Sequence, residues 1–179
     1  MILFEEFIQK INESKSFICV PEILGSGPHV FLFAINIGDE EDQLIDKDYK
    51  LYVIKTDTKV HAVQQAVKIA EEIDKEIFGN EYDELVQQID LKPEDRVFQI
   101  DIVYKTACDP SIKSYDAFHY LIVMASRDLN NLEEMKAYAV QADDIKQAEV
   151  FAVNTESEDT GYNYDPFDGE VLAVDLKKL

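Results

Sequence analysis

One stretch of eight residues decides the fold of this chain: Val30-Phe31-Leu32-Phe33-Ala34-Ile35-Asn36-Ile37. The run is apolar at odd and even positions alike, and the side chains of a β-strand alternate between the two faces of a sheet. Such a run predicts a central strand that is buried on both faces. Gly38 ends the run, and a turn at residues 25–28 precedes it.

The second strong pattern is helical and lies downstream of this strand. Apolar residues recur there at intervals of three and four, at Val60, Val63, Val67, Ala70, Ile73 and Ile77. Asp57 or Thr58 offers an oxygen that can cap the first turn, and Gly79 stands where helices commonly end. We therefore expect one long central helix between these residues.

Shorter patterns place the other elements. Alternation or short apolar runs predict further strands at residues 17–20, 49–55, 97–104, 118–124, 150–153 and 171–176. Helical spacing predicts shorter helices at residues 2–13 and 81–88. Asn131 followed by Glu134 fits a capping box that would start a helix running to about Val140, and residues 155–169 are expected to form a loop.

Strands that follow one another in the chain favour antiparallel or mixed pairing. The sequence thus predicts an α+β fold, with a mixed or antiparallel sheet of about five to seven strands packed against the long central helix and two or three shorter helices. The chain has 179 residues, and no linker interrupts it, so a single domain over residues 1–179 is expected.

Charge is the most informative property of the composition. The chain has 37 acidic and 17 basic residues, which gives a net charge of −20. Such a field repels phosphate backbones and anionic lipids and attracts basic proteins. We therefore expect a basic protein partner, no direct nucleic-acid binding and no membrane binding. The N-terminus lacks the features of a signal peptide, so a cytoplasmic location, in a cell or its host, is expected.

The sequence lacks the motifs of common enzyme classes, including the nucleophile elbow, the P-loop, the dinucleotide fingerprint and the zinc-protease motif. The spacing of His29, His61 and His119 and of Cys19 and Cys108 indicates no metal site. Asp101 lies within a strand pattern, on a face that we expect to be exposed. No catalytic residue, metal or cofactor is therefore predicted.

Negative charge is concentrated in three stretches, at residues 39–48, 71–84 and 156–170. The third also carries aromatic residues, and aromatics mixed with carboxylates are typical of a site for a basic partner. We predict that residues of the first and third stretches bind the partner: Asp39, Glu40, Glu41, Asp42, Glu156, Glu158, Asp159, Tyr162, Tyr164, Asp165, Phe167 and Asp168.

The leading hypothesis is a non-enzymatic interaction protein, such as an inhibitor, an immunity protein or a DNA mimic directed at a nucleic-acid-handling enzyme. Three alternatives stay open. The acidic stretches could be ordinary solvated surfaces that keep the protein soluble. The protein could be a structural or viral assembly component. It could also be a small enzyme or ligand-binding protein whose site, with His29, His61, His119 or Cys108, is assembled by the fold. The oligomeric state does not follow from the sequence.

Overall fold

The α+β class is confirmed by a computed structural model of the chain, in which strands form two sheets of three and five strands. The structure describes residues 17–18, 29–38, 48–88, 90–107, 118–125, 132–160 and 170–179. They belong to two units. The three-stranded unit draws on Pro28–Ile102 and Arg127–Lys136, and the five-stranded unit draws on the remainder. The expectation of a single domain over residues 1–179 stays a prediction.

The three-stranded unit contains strands β2 (His29–Asn36), β3 (Tyr49–Thr56) and β4 (Val97–Ile100). Strand β2 lies in the middle and pairs antiparallel with both neighbours. The predicted central strand is therefore confirmed, and its residues 32–35 are at most 1% exposed. Burial of this kind requires cover on both faces of the strand.

Helix α1 (Lys59–Phe78) covers one face of this sheet. The Thr58 hydroxyl caps it by accepting a hydrogen bond from the His61 backbone N–H at 3.2 Å. Gly79 ends it with φ of 54°, a conformation that glycine adopts without strain. A 3₁₀ turn then leads into helix α2 (Tyr82–Gln88), so both predicted helices are confirmed.

The buried stripe of α1 differs from the one that its large apolar residues suggest. Ala62, Ala66 and Ala70 are fully buried, whereas Val60 is 64% exposed and Val63 37%. The reason is volume. Large side chains of the sheet, such as Phe33 and Ile35, fill the space under the helix, so small residues must face them.

The five-stranded unit has the strand order β1-β5-β7-β6-β8. Its strands are β1 (Phe17–Ile18), β5 (Ile102–Thr106), β6 (Tyr120–Ala125), β7 (Lys136–Gln141) and β8 (Glu170–Asp175). Helix α3 (Ile145–Thr160) packs on this sheet, with Ala148, Ala152 and Val153 against Ile122 and Val140. Strand β6 pairs antiparallel with β8, which confirms the two strands predicted in these segments.

Two predictions in this unit are wrong. The expected helix from Asn131 to about Val140 is a 3₁₀ turn, Leu132–Glu134, followed by strand β7. Strand β7 lies between two other strands, and this burial overrides the local capping signal. The expected strand at residues 150–153 lies within α3, because the residues that contact the sheet recur at helical spacing.

Two further predictions need revision. The strand expected at residues 97–104 is two strands, β4 and β5, separated at Asp101 and belonging to different sheets. The loop expected from residue 155 begins later, since α3 continues to Thr160. The predicted helix at residues 2–13 and the turn at residues 25–28 lie outside the described residues.

Candidate partner-binding surface

The acidic segment, residues 39–47, joins strands β2 and β3. It lies outside the described residues, but both of its ends are described. The Ile37 backbone N–H donates to the Asp48 carbonyl at 2.8 Å, and the Gly38 N–H donates to the Asn36 Oδ1 atom at 2.9 Å. The first bond holds the residues that flank the acidic segment side by side at one end of the sheet, and the second is local to the end of β2.

Arg96 connects this end of the sheet to helix α1. Its Nη1 atom donates to the Asn36 carbonyl at 3.2 Å and to the Gly38 carbonyl at 2.8 Å. Its Nε atom forms an ion pair with the Asp74 carboxylate of α1. Arginine suits this position because its planar group donates in several fixed directions at once. We call this arrangement the clamp.

Both charges of the clamp are buried. Asp74 is 0% exposed and Arg96 is 3% exposed. Two buried charges need each other, because an isolated charge in the interior carries a large desolvation cost. Asp74 therefore belongs to the core of the unit, although it lies within the acidic stretch 71–84.

The clamp connects the end of β2 to the acidic stretch 71–84 of the chain. Gly38, which Arg96 contacts, directly precedes the acidic segment, and Asp74 lies within the stretch 71–84. Glu94 and Asp95 directly precede Arg96 in a 3₁₀ turn that packs against α1, and both are exposed. We define the clamp surface as the exposed residues Asp48, Glu94 and Asp95, which lie beside the clamp.

Charge is unevenly distributed along α1. Its first twelve residues, Lys59–Ala70, include no acid, whereas Glu71, Glu72 and Glu76 lie in its second half. Carboxylates near the C-terminal end of a helix oppose its dipole, so local helix stability does not favour this placement. Lys75 offsets part of this unfavourable charge through an ion pair with Glu71, in which its Nζ atom lies 2.5 Å from Glu71 Oε1.

Two lysines of this region each form an ion pair with an acid that is close in the chain. The hydrogen bond to Glu71 raises the pKa of Lys75, and the hydrogen bond to Asp90 raises the pKa of Lys92. The Lys92–Asp90 distance is 2.8 Å. Each of these lysines thus neutralises its own partner, and neither ion pair involves Glu94 or Asp95.

An aromatic pair lies at the same end of the sheet. The rings of Tyr49 and Phe98 meet edge to face, with their centroids 5.6 Å apart and an interplanar angle of 88°. Phe98 is 40% exposed, while burial raises the pKa of the Tyr49 hydroxyl. Tyr49 directly follows Asp48, so the pair adjoins the clamp surface.

The third acidic stretch lies in the five-stranded unit. Glu156 is buried, and its Oε2 atom accepts a hydrogen bond from the Tyr138 hydroxyl at 2.5 Å. Glu158 is exposed, and Asp159 lies in the last turn of α3. Glu156 thus belongs to the interior of this unit, whereas Glu158 is open to a partner. The other predicted residues lie outside the described part of the chain: Asp39, Glu40, Glu41, Asp42, Tyr162, Tyr164, Asp165, Phe167 and Asp168.

The three histidines lie on different segments of the described structure. His29 begins β2, His61 is exposed in the first turn of α1, and His119 lies against Tyr120 with ring centroids 6.1 Å apart. The described residues include no group of three His, Cys, Asp or Glu side chains that could hold a metal ion. Asp101 is exposed, as expected, and both cysteines lie outside the described residues. The absence of a metal site in the whole chain stays a prediction.

A cavity of about 470 Å³ is bordered by helix α1. Its described lining comes from this one helix: His61, Val63, Gln64, Gln65, Val67 and Lys68. A ligand there would meet a single described wall, which is unlike the enclosed pockets that bury most of a small molecule.

The clamp was not predicted from the sequence, although the sequence contains one signal of it. Asp74 continues the series Ala62, Ala66, Ala70 at a spacing of four residues. An acid in an otherwise apolar helical series indicates a buried carboxylate that needs a cation. The chain has two arginines, Arg96 and Arg127, and either one was a candidate for that cation.

Comparison with known proteins identifies no relative. The sequence matches no protein-family model, and neither the curated proteins nor the solved structures include a match. In the described part of the chain, no helix combines the length and the apolar character needed to cross a membrane.

Proposed function

We propose that this chain is a non-enzymatic acidic interaction protein that binds a basic protein through the clamp surface. An inhibitor, an immunity protein or a DNA mimic acting on a nucleic-acid-handling enzyme fits this proposal, and it would act in the cytoplasm without a cofactor. The partner's lysines and arginines would pair with carboxylates that a structured scaffold positions.

The observation that carries the proposal is the clamp. Arg96 contacts the carbonyls of Asn36 and Gly38 and pairs with Asp74, so it connects the start of the acidic segment to helix α1. Buried, mutually paired charges are a costly way to fix a loop end if that loop only keeps a protein soluble. A binding loop, in contrast, gains affinity when its ends are fixed before the partner arrives.

The local charge supports the same proposal. Residues 71–96 include ten acidic and three basic residues, and all three bases already pair with acids of the same stretch. Glu94 and Asp95 are exposed beside the clamp. Such a surface attracts a basic partner over a long range and accelerates its association.

The test is affinity capture from an extract of the source cells or their host, with parallel washes at low and high salt and mass spectrometry of what remains. We expect a basic protein that is retained at low salt and lost at high salt, because exposed charges are screened by ions. The variant Glu94→Gln/Asp95→Asn should retain less of it.

A matched control removes two charges from the other unit, in the variant Asp143→Asn/Glu149→Gln. It should retain as much of the partner as the wild type. A retained protein that resists high salt, or equal losses in both variants, would contradict the proposed surface. A third variant, Glu158→Gln/Asp159→Asn, tests whether the predicted residues of the five-stranded unit contribute.

A further inference from the structure

Phe98 and Tyr49 come from the two outer strands of the three-stranded sheet and meet across the middle one. Phe98 on β4 is opposite Ala34, and Tyr49 on β3 is opposite Asn36. Directly opposed residues project from the same face, so both rings lie over β2 on the face away from α1. The small side chains of Ala34 and Asn36 leave the room that this contact needs.

The ring of Phe98 is open to solvent on one side. It is 40% exposed and belongs to β4, an edge strand of the sheet. Ile37, close to the same end of the sheet, is 39% exposed. An exposed aromatic ring in a strongly acidic region offers a partner both apolar area and a negative ring face.

Exposed carboxylates border both strands that supply the rings. Asp48 directly precedes Tyr49, Asp101 directly follows β4, and Asp95 lies two residues before β4 begins at Val97. The next residue after Tyr49, Lys50, points to the opposite face, where its Nζ atom lies 5.4 Å from the Tyr52 ring. Asp48 and Asp95 thus put exposed negative charge at the end of the sheet where the two rings meet.

We infer that the Tyr49–Phe98 pair is a subsite for an arginine side chain of the basic partner. This inference rests on the proposed function and specifies which cation the surface prefers. A guanidinium group is planar and weakly hydrated, so it stacks on aromatic rings and pairs with a carboxylate in the same pose. A lysine ammonium is more strongly hydrated and has no flat face to stack.

The test compares two probes of equal charge, the peptides tetra-arginine and tetra-lysine, in NMR titrations of the full chain at an ionic strength of about 0.02 M. Tetra-arginine should bind roughly two- to fivefold more tightly, which is the range of an exposed cation–π contact. The ring resonances of Phe98 should shift with tetra-arginine and much less with tetra-lysine.

The variant Phe98→Leu keeps an apolar side chain and removes the ring. It should bind the two peptides equally, with an unchanged affinity for tetra-lysine. The control Val103→Ala alters a residue of the other unit that is also 40% exposed, and it should keep the preference for arginine. Unshifted Phe98 resonances in the wild type would overturn the inference even if the variant failed to fold.

The possible outcomes distinguish a failure of this inference from a failure of the proposed function. If both peptides bind with equal, salt-sensitive affinity, the arginine subsite is wrong and the acidic surface stands. If neither peptide binds at low salt, the electrostatic basis of the proposed function fails as well.

Discussion

Arg96 makes three contacts that a lysine at this position would not reproduce. It donates to two carbonyls at the end of β2 and pairs with Asp74 on α1. The three contacts come from one planar group, and the residue is 3% exposed. A single side chain therefore links the end of β2, at Asn36 and Gly38, to Asp74 of α1.

Removal of this side chain should destabilise the fold strongly. We expect Arg96→Met to lower the free energy of unfolding by about 3–5 kcal/mol, because the buried charge of Asp74 loses its ion pair with Arg96. Urea unfolding followed by circular dichroism measures the loss. The control Lys92→Met removes an exposed ion pair and should cost at most about 1 kcal/mol.

A double variant separates the two roles of Arg96. Asp74→Leu/Arg96→Met should regain much of the lost stability, since no buried charge remains. What is not regained reports the lost hydrogen bonds to the Asn36 and Gly38 carbonyls. Equal stability of Arg96→Met and the wild type would contradict the clamp.

Tyr82 provides a second test at the residue scale, through pH. Burial raises the pKa of its hydroxyl above the ordinary value of 10.0, and the neighbouring Glu71 carboxylate adds to this effect. The unfolded chain thus loses the proton at a lower pH than the folded chain does. Stability from this group is complete below about pH 10 and is lost as the pH rises through the folded pKa.

The expected result is that the wild type loses stability relative to Tyr82→Phe when the pH is raised from about 9 to about 11. Urea unfolding of both proteins at the two pH values measures it. Tyr120→Phe serves as a matched substitution in the other unit. A stability difference between the wild type and Tyr82→Phe that stays constant with pH would contradict burial of this hydroxyl.

At the scale of elements, sequence pattern was reliable where it was long. The repeat from Val60 to Ile77 predicted α1, and the apolar run at residues 30–37 predicted β2. Of the two expected caps of α1, Asp57 or Thr58, the structure has Thr58, and Gly79 ends the helix as expected. Many side chains contribute to such patterns, so tertiary contacts rarely reverse them.

Predictions from short patterns were wrong, because contacts with distant parts of the chain decided the structure of these segments. Residues 136–141 follow a capping signal, yet they form β7 because two other strands flank them. The apolar run from residue 150 to 153 is compatible with a strand or a helix. It is helical because the residues that contact the sheet recur at helical spacing. Asp101 interrupts an alternating pattern, and the strands on its two sides join different sheets.

Helix α1 also provides a test of which stripe faces the sheet. Ala66→Leu should lower the free energy of unfolding by about 1–3 kcal/mol, because the added methyl groups have no space beside Phe33 and Ile54. Val63→Ala, on the exposed side, should change it by at most about 0.5 kcal/mol. Urea unfolding of the two variants compares them, and the reverse order of effects would show that the valine stripe is the buried one.

At the scale of the whole molecule, the net charge of −20 predicted the kind of partner but not where it binds. The clamp depends on contacts between residues that are 58 and 60 positions apart in the chain. Such contacts follow from the fold and have no local signature. The clamp surface and the arginine subsite therefore needed the structure.

The sequence and the structure emphasise different parts of the acidic surface. The sequence favoured Glu156 equally with Glu158, but Glu156 is bonded to Tyr138 inside the five-stranded unit. Glu94 and Asp95 were not predicted, and they lie beside Arg96 with exposed carboxylates. The prediction that Asp39, Glu40, Glu41 and Asp42 bind the partner stays a prediction, now with a fixed point from which the segment starts.

The central claim is that charge on the clamp surface binds a basic partner. The most direct measurement is the Kd of the captured partner as a function of salt, for the wild type, Glu94→Gln/Asp95→Asn and Asp143→Asn/Glu149→Gln. We predict that the first variant binds about two- to thirtyfold more weakly at low salt, from about 0.2–1 kcal/mol per exposed ion pair, and has a smaller salt dependence, while the second matches the wild type. A Kd that does not change with salt, or two variants that weaken equally, would contradict the account.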